Sequence, residues 1–186
     1  MRKLLLVFAH PDDESSVIGG TVAKYAKAGW VIERLCATDL GHAEGKLSAL
    51  TPGTLEDPIF RAMETGIPNV VITFDKTGIN NDPDHIKTCY GATYAFQKYA
   101  SWLEGLQKKF RVKKIEPKLY YVCMPESTIT RAVRDGQLPK VSFGKPWRGV
   151  PDDEITTIIG KEYFILRREG TKEHFMGKND RIRDRL

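Results

Sequence analysis

Cysteine is scarce in this 186-residue chain. Cys36, Cys89 and Cys123 are its only three, an odd number with no Cys-x-x-Cys spacing. Nothing in that pattern suggests a disulfide framework or an oxidising compartment. Cys36 and Cys123 lie inside apolar runs, where a thiol packs as a small hydrophobe. Long apolar runs are missing as well. The longest near the start covers residues 4–9, far short of the ~20 residues that span a bilayer. No small-residue cleavage site follows it, so it does not read as a signal peptide. These absences point to a cytoplasmic protein with no membrane partner. Neither sign of charge dominates: 29 Lys and Arg stand against 24 Asp and Glu, a net charge of +5. An excess that small is an ordinary solvated surface, and no motif adds a nucleic-acid partner to it. The most basic stretch, residues 108–114, reads as the polar end of a helix running into a turn. Repeats, low-complexity segments and a Gly-x-Gly-x-x-Gly loop are all absent, which sets aside collagen-like chains and a nucleotide-binding module.

What is present is the composition of a globular domain, with 41% hydrophobic and 28% charged residues. A chain of this length buries roughly 70% of the surface its unfolded form exposes and needs no staple to fold. We expect one domain over residues 1–186. Residues 3–9 form a continuous apolar run, as in a parallel strand buried on both faces. A helix is expected over 19–28, a second strand over 31–38, and a Gly- and Pro-rich loop over 40–58. A short helix over 59–65, a third strand over 70–74, a long aromatic-rich helix over 85–110 and a fourth strand over 119–124 follow. Beyond Pro125 the pattern weakens into an irregular extension, with short strand-like pieces over 154–159 and 163–168 and a helical end from Thr171. This order predicts an α/β, Rossmann-like fold: a mostly parallel sheet with helices on both faces. Sites in such sheets lie at the carboxyl ends of the strands.

The first strand runs into Ala9-His10-Pro11-Asp12-Asp13-Glu14. One imidazole and three carboxylates crowd a strand end, and crowded carboxylates need a proton or a cation. Nitrogen and oxygen donors of this kind suit Zn²⁺ or another divalent transition metal. The same residues also suit a helix N-terminus, with Asp12 or Asp13 as cap and Glu14 complementing the dipole. A second cluster, Asn81-Asp82-Pro83-Asp84-His85, follows the third strand, and here too a carboxylate could simply cap a helix. Two such clusters can converge across one crevice. His10, Asp13 and His85 then give a two-histidine, one-carboxylate metal site with an open position.

Ala-His-Pro-Asp-Asp-Glu after an opening strand, followed by Gly19-Gly20, resembles the signature of the LmbE/PIG-L family of zinc-dependent N-deacetylases. Pro83-Asp84-His85 resembles the family's second motif. Residues 149–157 resemble its C-terminal segment, and His174 with Lys178-Asn179-Asp180 its final His-containing helix. The resemblance implies His10, Asp13 and His85 as ligands of Zn²⁺ and Asp12 as general base. It implies Glu14 as a residue that orients the loop, Arg61 in Arg61-Ala-Met-Glu64 as a substrate contact, and His174 as a residue lining the site. The reaction implied is hydrolysis of an N-acetyl amide on an N-acetylglucosamine-type amino sugar or its conjugate, a small molecule, releasing acetate and an amine. The alternative is a domain of the same fold that binds metal or sugar without turnover.

Two departures stand out. Many members carry a His three residues before the second metal His, and here Asp82 stands there, beside substrate. Asp84 could then orient His174 and join it in catalysis. The stretch from Asp39 to His85 is also short, as though one edge strand and its helix were missing beside the second strand. That leaves an exposed edge, which with the aromatic-rich helix points to a homo-oligomer.

Overall fold

The structure, a computed structural model, describes residues 1–174 and 183–186. Four strands and four helices build its first two thirds. They are β1 (Lys3–Phe8), α1 (Asp13–Lys27), β2 (Val31–Cys36), α2 (Glu56–Gly66), β3 (Val70–Phe74), the short α3 (Gly78–Asn81), α4 (Pro83–Phe110) and β4 (Lys118–Cys123), with β8 (Glu162–Glu169) joining from the far end of the chain. The main sheet runs in the order β2-β1-β3-β4-β8-β7, where β7 is Thr157–Ile159. β2, β1, β3 and β4 are mutually parallel, and β8 pairs antiparallel with both β4 and β7. The expected Rossmann-like, mostly parallel sheet flanked by helices is therefore what forms.

The handedness of β-x-β crossovers explains the layers. The chain leaves β1 toward β2 through α1, then turns back over β1 to β3 through α2. Reversing direction moves the crossover to the opposite face, so α2 and α4 share one face and pack on each other. β1 and β3, buried and apolar apart from Lys3 and Thr73, form the centre of the core with Phe96, Tyr99 and Tyr120. The reversal also leaves a topological switch point between the carboxyl ends of β1 and β3.

β2 is an edge strand, as expected if a unit is missing beside it. Its exposed centre carries Glu33 and Arg34. Charged residues on an exposed edge discourage pairing with another chain. Among the described residues, no helix is long and apolar enough to cross a membrane.

Several expectations fail. The first helix begins at Asp13 rather than at residue 19, because it is two pieces joined at Ile18, whose φ of −141° is not helical. The break frees the backbone N–H groups of Gly20 and Thr21. Both donate to the Glu162 carboxylate, at 2.7 and 2.8 Å. A residue from the opposite end of the chain thus caps the second piece of α1. Losing a cap of this kind costs ~1–2 kcal/mol. Glu162→Ala should lower the stability by that amount in urea unfolding, and Glu162→Gln by less.

The extension after Pro125 is less irregular than the composition suggests. It holds α5 (Glu126–Arg134), a small hairpin of β5 (Val141–Ser142) and β6 (Lys145–Pro146), and then β7 and β8. The helix expected from Thr171 is instead β9 (Lys172–Glu173), which pairs back on β8. The Gly170-Thr171 turn between two strands with paired charges overrides helix propensity there. Lys178, Asn179 and Asp180 lie outside the described residues.

Candidate metal centre

His10 leaves the end of β1, and the turn that carries it is closed by Asp13, whose Oδ2 accepts the His10 backbone N–H at 2.7 Å. Between them Asp12 adopts φ 74°, ψ −1°. A non-glycine residue in this left-handed region is strained, and such strain persists where the surroundings fix it. Here the Asp12 carbonyl accepts from the backbone and hydroxyl groups of Ser15 and Ser16. Asp12 itself is exposed.

The second cluster is built by an equally strained segment. After β3, the Asp75 carboxylate takes both the N–H and the hydroxyl of Thr77, each at 2.6 Å. Gly78, Ile79 and Asn81 all have positive φ. This winding aims the Gly78 carbonyl at His85 Nδ1, 3.0 Å away. The His85 ring also lies flat on Phe74, with ring centroids 4.0 Å apart and planes 6° apart. Asp82 caps α4 through Oδ1, accepting from Asp84 N–H at 2.8 Å, with Pro83 at the first helical position. Both readings of this carboxylate hold at once, because its other oxygen faces His85 Nε2 at 3.8 Å.

The two clusters meet at the switch point. His10 Nδ1 lies 3.3 Å from His85 Nε2. Asp13 Oδ1 is 3.5 Å from His85 Nε2, and its Oδ2 is 3.7 Å from His10 Nδ1. Donor atoms of His10, Asp82 and His85 all lie within 4.8 Å of one another. The outer ring nitrogens are already committed: His10 Nε2 faces the buried Asp84 carboxylate at 3.3 Å, and His85 Nδ1 faces the Gly78 carbonyl. A carbonyl and a carboxylate can only accept, so those nitrogens carry the hydrogens. The inner nitrogens then point lone pairs at each other and at two carboxylates. That arrangement is unfavourable until a proton or a cation sits among them, and it is the donor chemistry of a divalent metal site whose histidines are oriented from behind.

The electrostatics agree. Burial alone would depress His85, but the hydrogen bond and charge of Asp13, with the charge of Asp82, raise its pKa above the usual imidazole value. Burial alone would raise Asp13, but His85 and the His10 N–H hold it below the usual carboxylate value. The proton shared by this pair is what an arriving cation displaces.

Asp84 reaches further. Its Oδ2 also accepts from Gly45 N–H at 2.6 Å and its Oδ1 from Ser48 N–H at 3.3 Å. One buried carboxylate therefore orients His10 and pins the loop over residues 41–50, which also carries His42. Outer partners of metal-bound histidines are worth roughly 10–100-fold in affinity. Asp84→Ala should weaken cation binding by about that factor in competition with a chromophoric chelator, with Asp84→Asn in between.

The structure thus brings His10, Asp13, Asp82, Asp84 and His85 to one place, with Asp12 next to Asp13 in the turn. Asp82 stands among the ligand-capable atoms. Glu14 sits at the start of α1, with Oε1 3.7 Å from Arg34 on β2, and ties the turn to the edge strand. Two expected residues are elsewhere. Arg61 is exposed on α2 and binds Glu64 one turn on, at 2.6 Å. His174 lies at the opposite end of the sheet, 3.8 Å from Glu169. β8 runs antiparallel to β4, so its carboxyl-terminal hairpin falls at the amino ends of the parallel strands. Asp84 consequently orients His10 and not His174.

An open α/β sheet that gathers two histidines and their carboxylates at its switch point, donors of the kind that hold a divalent metal, defines a Rossmann-like protein with a candidate metal centre. Comparison with known proteins gives the family. The profile of the family described as "PIG-L: GlcNAc-PI de-N-acetylase" matches residues 5–52. A 1D-myo-inositol 2-acetamido-2-deoxy-alpha-D-glucopyranoside deacetylase of Rhodococcus jostii is 54% identical, over 93% of this chain and 80% of the relative. Similarly named proteins of Saccharopolyspora erythraea and Thermobifida fusca are each 27% identical, over 83% and 93% of this chain and 76% and 82% of theirs. The chain belongs to the PIG-L (LmbE-like) deacetylase family. Among solved structures it is similar to GalB, the 4-carboxy-2-hydroxymuconate hydratase of Pseudomonas putida, with a TM-score of 0.47 and 15% identity over 69% of each chain.

Proposed function

We propose that this protein hydrolyses the N-acetyl amide of an amino-sugar conjugate, in a reaction that depends on a divalent cation, Zn²⁺ foremost, held by His10, His85, Asp13 and Asp82. The observation that carries this reading is the convergence of two imidazole lone pairs and two carboxylates at the switch point. A cation there supplies Lewis-acid polarisation of an amide carbonyl and a lowered pKa for water. The remaining work falls to the chain. Asp12, exposed and held in a strained turn beside the ligands, takes the proton of the attacking water and returns it to the departing amine. Asp82 cannot donate as an imidazole would, so the chain offers no second histidine to the developing oxyanion from that position. The names of the relatives support an N-acetylglucosaminyl-inositol conjugate as the first substrate to try.

The test is acetate release from a panel of N-acetylglucosaminyl conjugates, the inositol conjugate included, with metal content measured in parallel. The wild type should turn over at least one of them. Asp12→Asn should lose roughly 10²–10⁴-fold in rate, the usual worth of a general base, while keeping its cation. A loaded wild type that releases acetate from none of them would instead support a binding domain without turnover.

A further inference from the structure

A second concave site lies at the other end of the sheet. Arg2 precedes β1, Trp30 precedes β2, Asn69 precedes β3 and Lys118 opens β4, so the amino ends of all four parallel strands surround one cleft of about 680 Å³. Five cationic side chains line it: Arg2, Lys113, Lys114, Lys118 and Arg185. Three charges of the opposite sign bear on it. Glu116 holds Lys114 at 2.5 Å, Glu169 lies 3.9 Å from Lys118, and Glu104 pairs with Lys108 one turn before the cleft. Among the described residues, no carboxylate lies within 4.0 Å of Arg2, Lys113 or Arg185, and the Arg2 guanidinium rests over the Trp30 ring, 5.5 Å from its centroid. A modest net charge of +5 for the chain is thus unevenly spread. Like charges gathered around a concavity focus the field and raise the local concentration of anions, and the volume suits a small-molecule ligand.

We propose that this cleft is an anion site, separate from the metal centre, that takes a multiply charged phosphate ligand. That chemistry can come from a soluble polyphosphate or phosphate ester, or from an anionic phospholipid headgroup.

The probe for the first source is inorganic tripolyphosphate, followed by calorimetry at fixed ionic strength. The probe for the second is sedimentation with phosphatidylcholine vesicles containing or lacking phosphatidylglycerol. Because tripolyphosphate chelates metals, His85→Ala is titrated beside the wild type. Binding of one tripolyphosphate per chain, or of anionic vesicles only, retained in His85→Ala and weakened roughly tenfold by Lys113→Gln with Arg185→Gln, supports the site and names its source. The two substituted side chains are exposed and have no carboxylate within 4.0 Å among the described residues, so the substitutions cost folding little. No binding beyond that of sulfate at equal ionic strength, binding unchanged by the two substitutions, or binding lost in His85→Ala overturns it. Tighter binding of duplex DNA than of either probe also overturns it, in favour of a nucleic-acid surface.

Discussion

His85→Ala should leave a folded protein that neither retains a cation nor releases acetate. The expectation rests on what surrounds the ring. Its Nε2 faces His10 Nδ1, Asp13 and Asp82 at 3.3, 3.5 and 3.8 Å. Structural zinc sites are worth ~10–16 kcal/mol over four ligands, so one ligand is worth about 3 kcal/mol, or roughly a hundredfold and more in affinity. Elemental analysis should find one cation per chain in the wild type and close to none in the variant. The pH dependence has a definite sign. A cation must displace the proton that Asp13 holds on His85, and that proton is bound above the usual imidazole pKa. Apparent affinity in the wild type should therefore rise with pH through and above the ordinary histidine range before levelling off. A flat profile there would mean that His85 is not a ligand.

Gly78→Ala should damage both the fold and the candidate metal centre. Gly78 has φ +63°, and an added Cβ would lie 2.9 Å from Ile86 Cγ1 and 3.0 Å from His85 Cβ. A left-handed alanine costs ~1–2 kcal/mol, and the overlap in a packed segment adds about as much again. The fold should lose about 2–4 kcal/mol in urea unfolding. Because the Gly78 carbonyl and the His85 ring move together, cation affinity should also fall by about 10–100-fold. A stability loss with unchanged affinity would show that the carbonyl does not orient the ring. Phe74 stacking alone would then suffice.

The parallel sheet was legible because β1 and β3 are buried on both faces and read as unbroken apolar runs. The two clusters that meet at the candidate metal centre were legible because each packs histidine and carboxylates into a few consecutive residues after a strand. What was not legible depends on distance along the chain. Nothing near Gly20 announces that Glu162 will cap it, and the hydrophobic period of α1 starts only where the second helical piece does. The Gly78 carbonyl carries no side-chain signature. Phe74-Asp75-Lys76-Thr77-Gly78 does signal a tight turn, since Asp and Thr bond their own backbone and Gly accepts positive φ, but not where that turn points. His174 failed because a motif match says nothing of strand direction. Its hairpin follows a strand that runs the wrong way to deliver it. That Asp82 lies among the ligand-capable atoms was not legible, because a capping carboxylate and a ligand-capable one look the same in sequence.

α1 is tied to late parts of the chain three times over. Glu162 caps its second piece, Lys24 Nζ bonds the Asp184 carbonyl at 3.0 Å, and the Tyr25 hydroxyl takes the Leu186 N–H at 2.8 Å. During synthesis, at ~5–20 residues per second, the stretch from Gly20 to Glu162 takes roughly 7–30 s to emerge. For that interval the nascent chain carries the turn with His10 and Asp13 on a helix whose second half lacks all three ties. That turn is therefore made long before the helix behind it is locked.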